Sequence, residues 1–322
     1  MTAEAPRAAG AAPGPLAAVP EAVARTDRYP SGALRSVVFC RETVLDTPSG
    51  PLTPVWNYED ARRKYAPGAA FYESGALKSV RLQEPAPIPC PLGKSVPAER
   101  VSYYESGAVR RLFPLDGRIS GFWSERDERA LLRETALCLS WGHATLAASC
   151  LAFYESGELR SVTLWPGAEA SVPLPGGGGW IRPSTGFSLY RDGRLASVEP
   201  ARPVTVATPI GPLPAHDPEA VRVCADSNSL QFDGQGAVRA LKSLIILKMT
   251  TPGGVRLVSP VSRPHPLDDA RRIHLPLSLA FPGGFFTVSR GIRGEGPSAF
   301  PLDAPVELVP YVAHRLVRVI PS

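Results

Sequence analysis

Residues 71–80 read FYESGALKSV, with aromatic residues on one side of a short polar loop, aliphatic ones on the other, and Gly75 closing the loop. This is the pattern of a β-hairpin whose last loop position has φ > 0, a conformation glycine takes without steric cost. The phrase recurs. It stands as RYPSGALRSV around Gly32, YYESGAVRRL around Gly107, FYESGELRSV around Gly157, LYRDGRLASV around Gly193 and FDGQGAVRAL around Gly236, and a degenerate seventh copy, FPGGFFTV, ends its turn at Gly284.

A second phrase interleaves with the first: TPSG ending at Gly50, CPLG at Gly93, SWG at Gly142, a loosened PLPG at Gly176, TPIG at Gly211 and TPGG at Gly254. From the first kind of glycine to the second the interval is 18 residues in four units and 19 from Gly157 to Gly176. Only Gly107 to Gly142 departs, at 35. In TPxG, proline presets φ at the first turn position and glycine follows, which suits a type I or II turn. Two kinds of reversal alternating at an even interval predict an all-β chain of tandem β-hairpin repeats, an elongated antiparallel meander or a two-layered β-roll. Parallel β/α folds are disfavoured, because the segments are too short and proline-rich for crossover helices.

Pro85, Pro166 and Pro203 fall nine or ten residues after their hairpin glycines, so each arm reads as two short strands joined at a corner, since proline is excluded from central ladders. Phe71, Leu77, Val80 and Leu82 and their counterparts are the expected core. Within the long interval, residues 115–137 form an insertion: Leu115–Trp123 reads as an extra turn and Ser124 to about Arg133 as the one short helix (124–133), with Ser124 and Asp127 spaced as a capping box. Residues 1–25, rich in Ala and Pro, read as a disordered tail, 26–290 as one repeat array, and 291–322 as a closing segment in which Val306–Ile320 adds one or two strands.

Composition agrees: 36 Pro and 29 Gly make up about a fifth of the 322 residues, against roughly an eighth in an average protein. The net charge of +5 is small for this length, and no run of five or six basic residues marks a polyanion binder. Residues 1–24 lack the basic start and unbroken apolar core of a signal peptide, and no apolar run approaches the ~20 residues of a membrane span, so a soluble cytoplasmic protein without a transmembrane segment is expected. The five cysteines (Cys40, Cys90, Cys138, Cys150, Cys224) show no metal-ligand spacing and are expected as buried free thiols.

The phrases Tyr-x-x-Gly-x-Leu and LDGRISGFW (115–123) resemble the MORN-repeat-variant family of bacterial proteins, some of which are named as antitoxin components of toxin–antitoxin systems. The likeness spans Tyr29 to Val258, and the units here are longer and carry the additional TPxG phrase. The resemblance implies a non-catalytic β repeat used for protein contacts or, in eukaryotic relatives, for contact with membrane lipids.

No motif supplies a catalytic, metal or cofactor site. Gly176–Gly179 has no following Lys-Ser or Lys-Thr, so it reads as a loosened turn and not as a phosphate loop. Asp46–Gly50 looks like half of an aspartic-protease phrase but is explained by one TPxG turn, with no second copy. The histidines (His143, His216, His265, His274, His314) are scattered without an evident thiol or carboxylate companion, and no nucleophile elbow occurs. One regularity remains: three residues after the hairpin glycine stand Arg35, Lys78, Arg110, Arg160 and Arg239, a basic ladder that could meet phosphates or lipid headgroups. Glu73, Glu105 and Glu155, two residues before the same glycines, are expected to face these cations across each hairpin and cancel the field. The leading expectation is a repeat scaffold or protein-binding module, not an enzyme and without a cofactor. Association with anionic lipid or nucleic acid through the ladder comes second, and a hydrolase assembled from distant residues third.

Overall fold

The computed structural model describes residues 20–311, apart from 63, 118–119, 221–222, 252–253 and 293. The tail expected over 1–25 lies outside these as far as residue 19. Its last residues are ordered, with one 3-10 turn at Pro20–Ala22 and a strand at Val23–Arg28. The chain is all-β, with a single α-helix among the described residues. Expected as one array over 26–290, it divides instead into two compact units: residues 1–133 with 153–157, and 134–152 with 158–322.

In the first unit, strands Val23–Arg28, Leu34–Phe39, Ala69–Phe71, Leu77–Cys90, Lys94–Tyr103 and Val109–Phe113 follow one another as an antiparallel meander. The second unit repeats the plan with the strand Ala148–Phe153 as far as residue 152, then Leu159–Leu164, Pro183–Leu189, Leu195–Pro200, Leu230–Phe232, Val238–Ser243, Leu277–Gly283, Phe285–Ser289 and Ser298–Pro301. Each aromatic phrase is the hairpin turn joining two of these strands. In the copy at Gly75, the Gly75 amide donates to the Tyr72 carbonyl (3.0 Å) and the Tyr72 amide to the Ala76 carbonyl (2.8 Å), a four-residue turn closed by a left-handed glycine. All twelve glycines of the two phrases have positive φ, from 68° at Gly176 to 130° at Gly142.

The TPxG phrases turn a second set of hairpins, including Leu45–Thr47 with Gly50–Leu52, Thr135–Leu139 with Gly142–Leu146, Val172–Pro173 with Trp180–Ile181, and Val204–Thr208 with Gly211–Ala215. Here the threonine has a role beyond its place in the phrase. Thr47 Oγ1 donates to the Gly50 carbonyl (2.6 Å) and accepts from the Ser49 amide, and Thr208 repeats the arrangement at Gly211. The tips of these hairpins lie over aromatic-phrase turns two repeats further on. A methyl group on Gly107 would sit 3.4 Å from Pro48, on Gly157 3.2 Å from Pro91, on Gly193 3.3 Å from Ser140, and on Gly236 2.8 Å from Pro175. Between the hairpin sets lies the core, including Phe39, Phe71, Val80, Leu82, Ile88 and Tyr103 in the first unit and Leu137, Phe187, Leu213, Leu247 and Phe286 in the second.

Two expectations about elements are corrected. The arm expected to bend at Pro85 is one strand, Leu77–Cys90, whose pairing skips between Arg81 and Ala86, so the proline sits in an irregularity of the ladder and not at a chain break. The helix is shorter than 124–133: it covers Glu125–Ala130, with Ser124 and Asp127 forming a reciprocal capping box. Of the closing strands expected over 306–320, Val306–Pro310 pairs with Ile245–Met249, and residues 312–320 lie outside the described residues.

Candidate functional site

A β-bulge places the basic ladder. Asp27 pairs with Ser36 and Arg28 with Leu34, so Arg35 is the extra residue, and the same skip isolates Lys78, Arg110 and Arg239. A bulge re-aims its extra side chain. In the first unit the cations turn over the repeat tyrosines: Arg35 lies 5.8 Å from the ring centre of Tyr29, Lys78 5.3 Å from Tyr72, and Arg110 5.6 Å from Tyr104. Each such tyrosine hydroxyl donates to a backbone carbonyl of the next aromatic phrase, Tyr29 to Phe71 (2.9 Å), Tyr72 to Tyr103 (2.8 Å) and Tyr104 to Phe153 (2.8 Å), and Tyr190 does the same to Phe232 in the second unit (2.7 Å). Among the described residues the expected Glu–cation pairs are not formed. Glu155 instead accepts from the Ser106 hydroxyl (2.6 Å), Arg160 pairs with Asp226 (3.5 Å), and Arg239 donates to Gln231 (2.8 Å). The ring face attracts the cation through its quadrupole, although the Nε of Arg110 is buried with no hydrogen-bond partner.

The residue after each bulge starts a row of mostly small side chains, a feature absent from the expectations above. In the first unit, Ser36, Ala70, Ser79 and Ser102 pair in succession; in the second, Ser161, Ser188, Ser197, Gln231, Ala240, Ala280, Thr287 and Ala299 do so. The serine four positions after the hairpin glycine was the available signal.

In the second unit residues 225–229, at the end of an insertion, lie on this row. Ser161 Oγ donates to Asp226 (2.6 Å), the Ala225 amide to Thr163 Oγ1 (3.1 Å), Asn228 Nδ2 to Ser197 Oγ (2.7 Å), and the Ser229 amide and hydroxyl to Glu199 (2.8 and 2.6 Å). Where the segment ends, the row continues into a cleft of about 430 Å³ floored by Ala240, Ser278, Ala280 and Thr287. Buried Glu199 and Asp217 stand at its wall, and Lys242 Nζ donates to Asp217 (2.6 Å). Burial pushes the Glu199 carboxyl up, partly offset by its hydrogen bonds from Ser229.

In the first unit two insertions meet over the sheet. Arg62, from residues 53–68, donates to Glu128 of the helix (2.8 Å from Nε and from Nη2) and to Glu99 of the strand Lys94–Tyr103 (2.7 Å), and all three are almost fully buried. The remaining carboxylate lone pairs accept from the Asp116 and Gly117 amides and from Trp123 Nε1. Burial alone would lower the Arg62 guanidinium, but its hydrogen bonds to Glu128 and Glu99 reverse this and raise it. Each member of the trio is thus bonded to residues from more than one segment, so it clamps the insertions over the sheet.

The cysteines and histidines differ from expectation. Only Cys150 is buried; Cys40, Cys138 and Cys224 are exposed. Cys138 faces His143 across the hairpin that Gly142 turns, with Sγ 3.3 Å from Nδ1, so one histidine does have a thiol companion. His274 Nδ1 lies 2.9 Å from the Tyr311 hydroxyl. Among the described residues no group of three His, Cys, Asp or Glu is placed to hold a metal ion, and no helix is long and apolar enough to cross a membrane. Compared with family models, with curated proteins and with solved structures, the chain matches none.

Proposed function

We propose that the protein is a non-catalytic binding module, and that the open part of the small-residue row in the unit formed by 134–152 and 158–322 receives an extended segment of a protein partner. One observation carries this reading: the chain's own residues 225–229 already lie on that row, held by hydrogen bonds to Ser161, Thr163, Ser197 and Glu199, and the adjoining cleft continues the same floor. Small side chains let a backbone approach closely, and hydroxyls satisfy its polar groups. The resemblance to MORN-variant repeats supports the same reading, and an antitoxin-like role is its specific form. The basic ladder supports contact with an anionic surface less well, because Glu73, Glu105 and Glu155 stand in the same turns as its cations.

The experiment compares the wild-type protein and Ala280→Trp, which fills the cleft, as baits in extract of the native cell. A partner held by the wild type and weakened at least about tenfold, or about 1.4 kcal/mol, by the substitution is expected. No reproducible partner, a partner indifferent to Ala280→Trp, or salt-dependent capture of nucleic acid or anionic vesicles alone would overturn the proposal.

A further inference from the structure

A second concavity, of about 500 Å³, opens between the hairpin Thr135–Leu139/Gly142–Leu146 and the hairpin Val172–Pro173/Trp180–Ile181. Its lining shares no residue with the small-residue row or with the cleft that continues it. Its size is that of sites for small organic ligands. Trp141 and Trp180 both line it. Trp141 is fixed by an edge-on contact with Phe187 (centroids 5.7 Å apart), whereas Trp180 is 63% exposed although the strand pairing with Pro173 pins its backbone. An indole held at the surface by a rigid strand offers a ligand a large apolar face already in place.

The remaining lining selects the class of molecule. His143, Thr145 and Ser171 offer hydrogen-bonding groups, and Glu169 pairs with Arg182 (3.2 Å), so the carboxylate and guanidinium charges in the cleft cancel. A cationic ligand, although drawn to the indoles, would meet Arg182, and a phosphate ester would meet Glu169. A neutral molecule with an apolar face and a rim of hydroxyls meets neither objection. Saccharides have that shape: their C–H face stacks on an indole, and their hydroxyls both donate to carboxylate and accept from guanidinium. We propose that this cleft binds a neutral saccharide, with Trp180 as the stacking platform and Glu169 and Arg182 as the groups that hold its hydroxyls.

The test titrates the full-length protein with maltotetraose, cellotetraose and tetra-N-acetylchitotetraose at millimolar concentration, reading tryptophan fluorescence and saturation-transfer NMR. Saturable binding of at least one is expected. Trp180→Ala should weaken it at least about tenfold with an unchanged melting curve, and Trp180→Phe, which keeps a ring, should retain most of it. Should Trp180→Ala alter folding, Arg182→Gln takes its place: it changes an exposed side chain and should weaken the same binding. Absence of binding across the panel, binding indifferent to both substitutions, or saturable binding of tetramethylammonium or adenosine monophosphate in place of the sugars would overturn the proposal.

Discussion

The tyrosine of the aromatic phrase joins three things through one residue. In Tyr72 the backbone closes its own turn, the ring carries Lys78, and the hydroxyl reaches the Tyr103 carbonyl of the following hairpin. The FYESGALKSV phrase therefore encodes a turn, a bulge and a link to its neighbour within ten residues. Tyr72→Phe keeps the ring and loses only the link, and should lower stability by about 1 kcal/mol, the net worth of one partly buried hydrogen bond, seen as a lower urea midpoint at an unchanged slope. The glycine of this turn and the aromatic before it were legible because the chemistry is local. The cation's partner was not: opposite charges two and three residues either side of a glycine suggest a pair, and only the bulge turns the cation onto the ring.

Among the elements, the insertions are what distinguish one repeat from another. Residues 53–68 and the helix Glu125–Ala130 are joined through Arg62, Glu99 and Glu128. A buried pair of this kind is not a source of large net stability, yet breaking it leaves a charge stranded away from water. Arg62→Met, which leaves the Glu99 and Glu128 carboxylates buried without their cation, should therefore cost about 3–5 kcal/mol in denaturant unfolding, well beyond what loss of an exposed arginine would. The capping box that starts this helix was readable, since Ser124 and Asp127 lie three residues apart. The trio was not, because its members come from three separate segments and charged side chains ordinarily stay in water.

Across the molecule, each unit has its own core, and in the second unit sheet and inserted segment close on one point. Gly186 has φ of 143°, and a methyl group there would lie 2.0 Å from the Val162 carbonyl oxygen and 2.8 Å from Ala225 Cβ. Gly186→Ala must push apart both a strand pair and the segment above it. It should destabilise by more than about 4 kcal/mol, and hydrogen exchange should show lost protection in Leu159–Leu164, Pro183–Leu189 and 223–229 while the strands of residues 23–113 keep theirs. That the chain is β, and where it reverses, follows from local sequence, because a left-handed turn position must be filled by residues adjacent to one another and glycine announces it. Which insertion covers the small-residue row, which charges are buried together, and that Trp180 and Trp141 share one cleft are set by long-range packing instead. Those outcomes depend on residues far apart in the chain, whose burial is tolerable only once the sheet has brought their partners alongside.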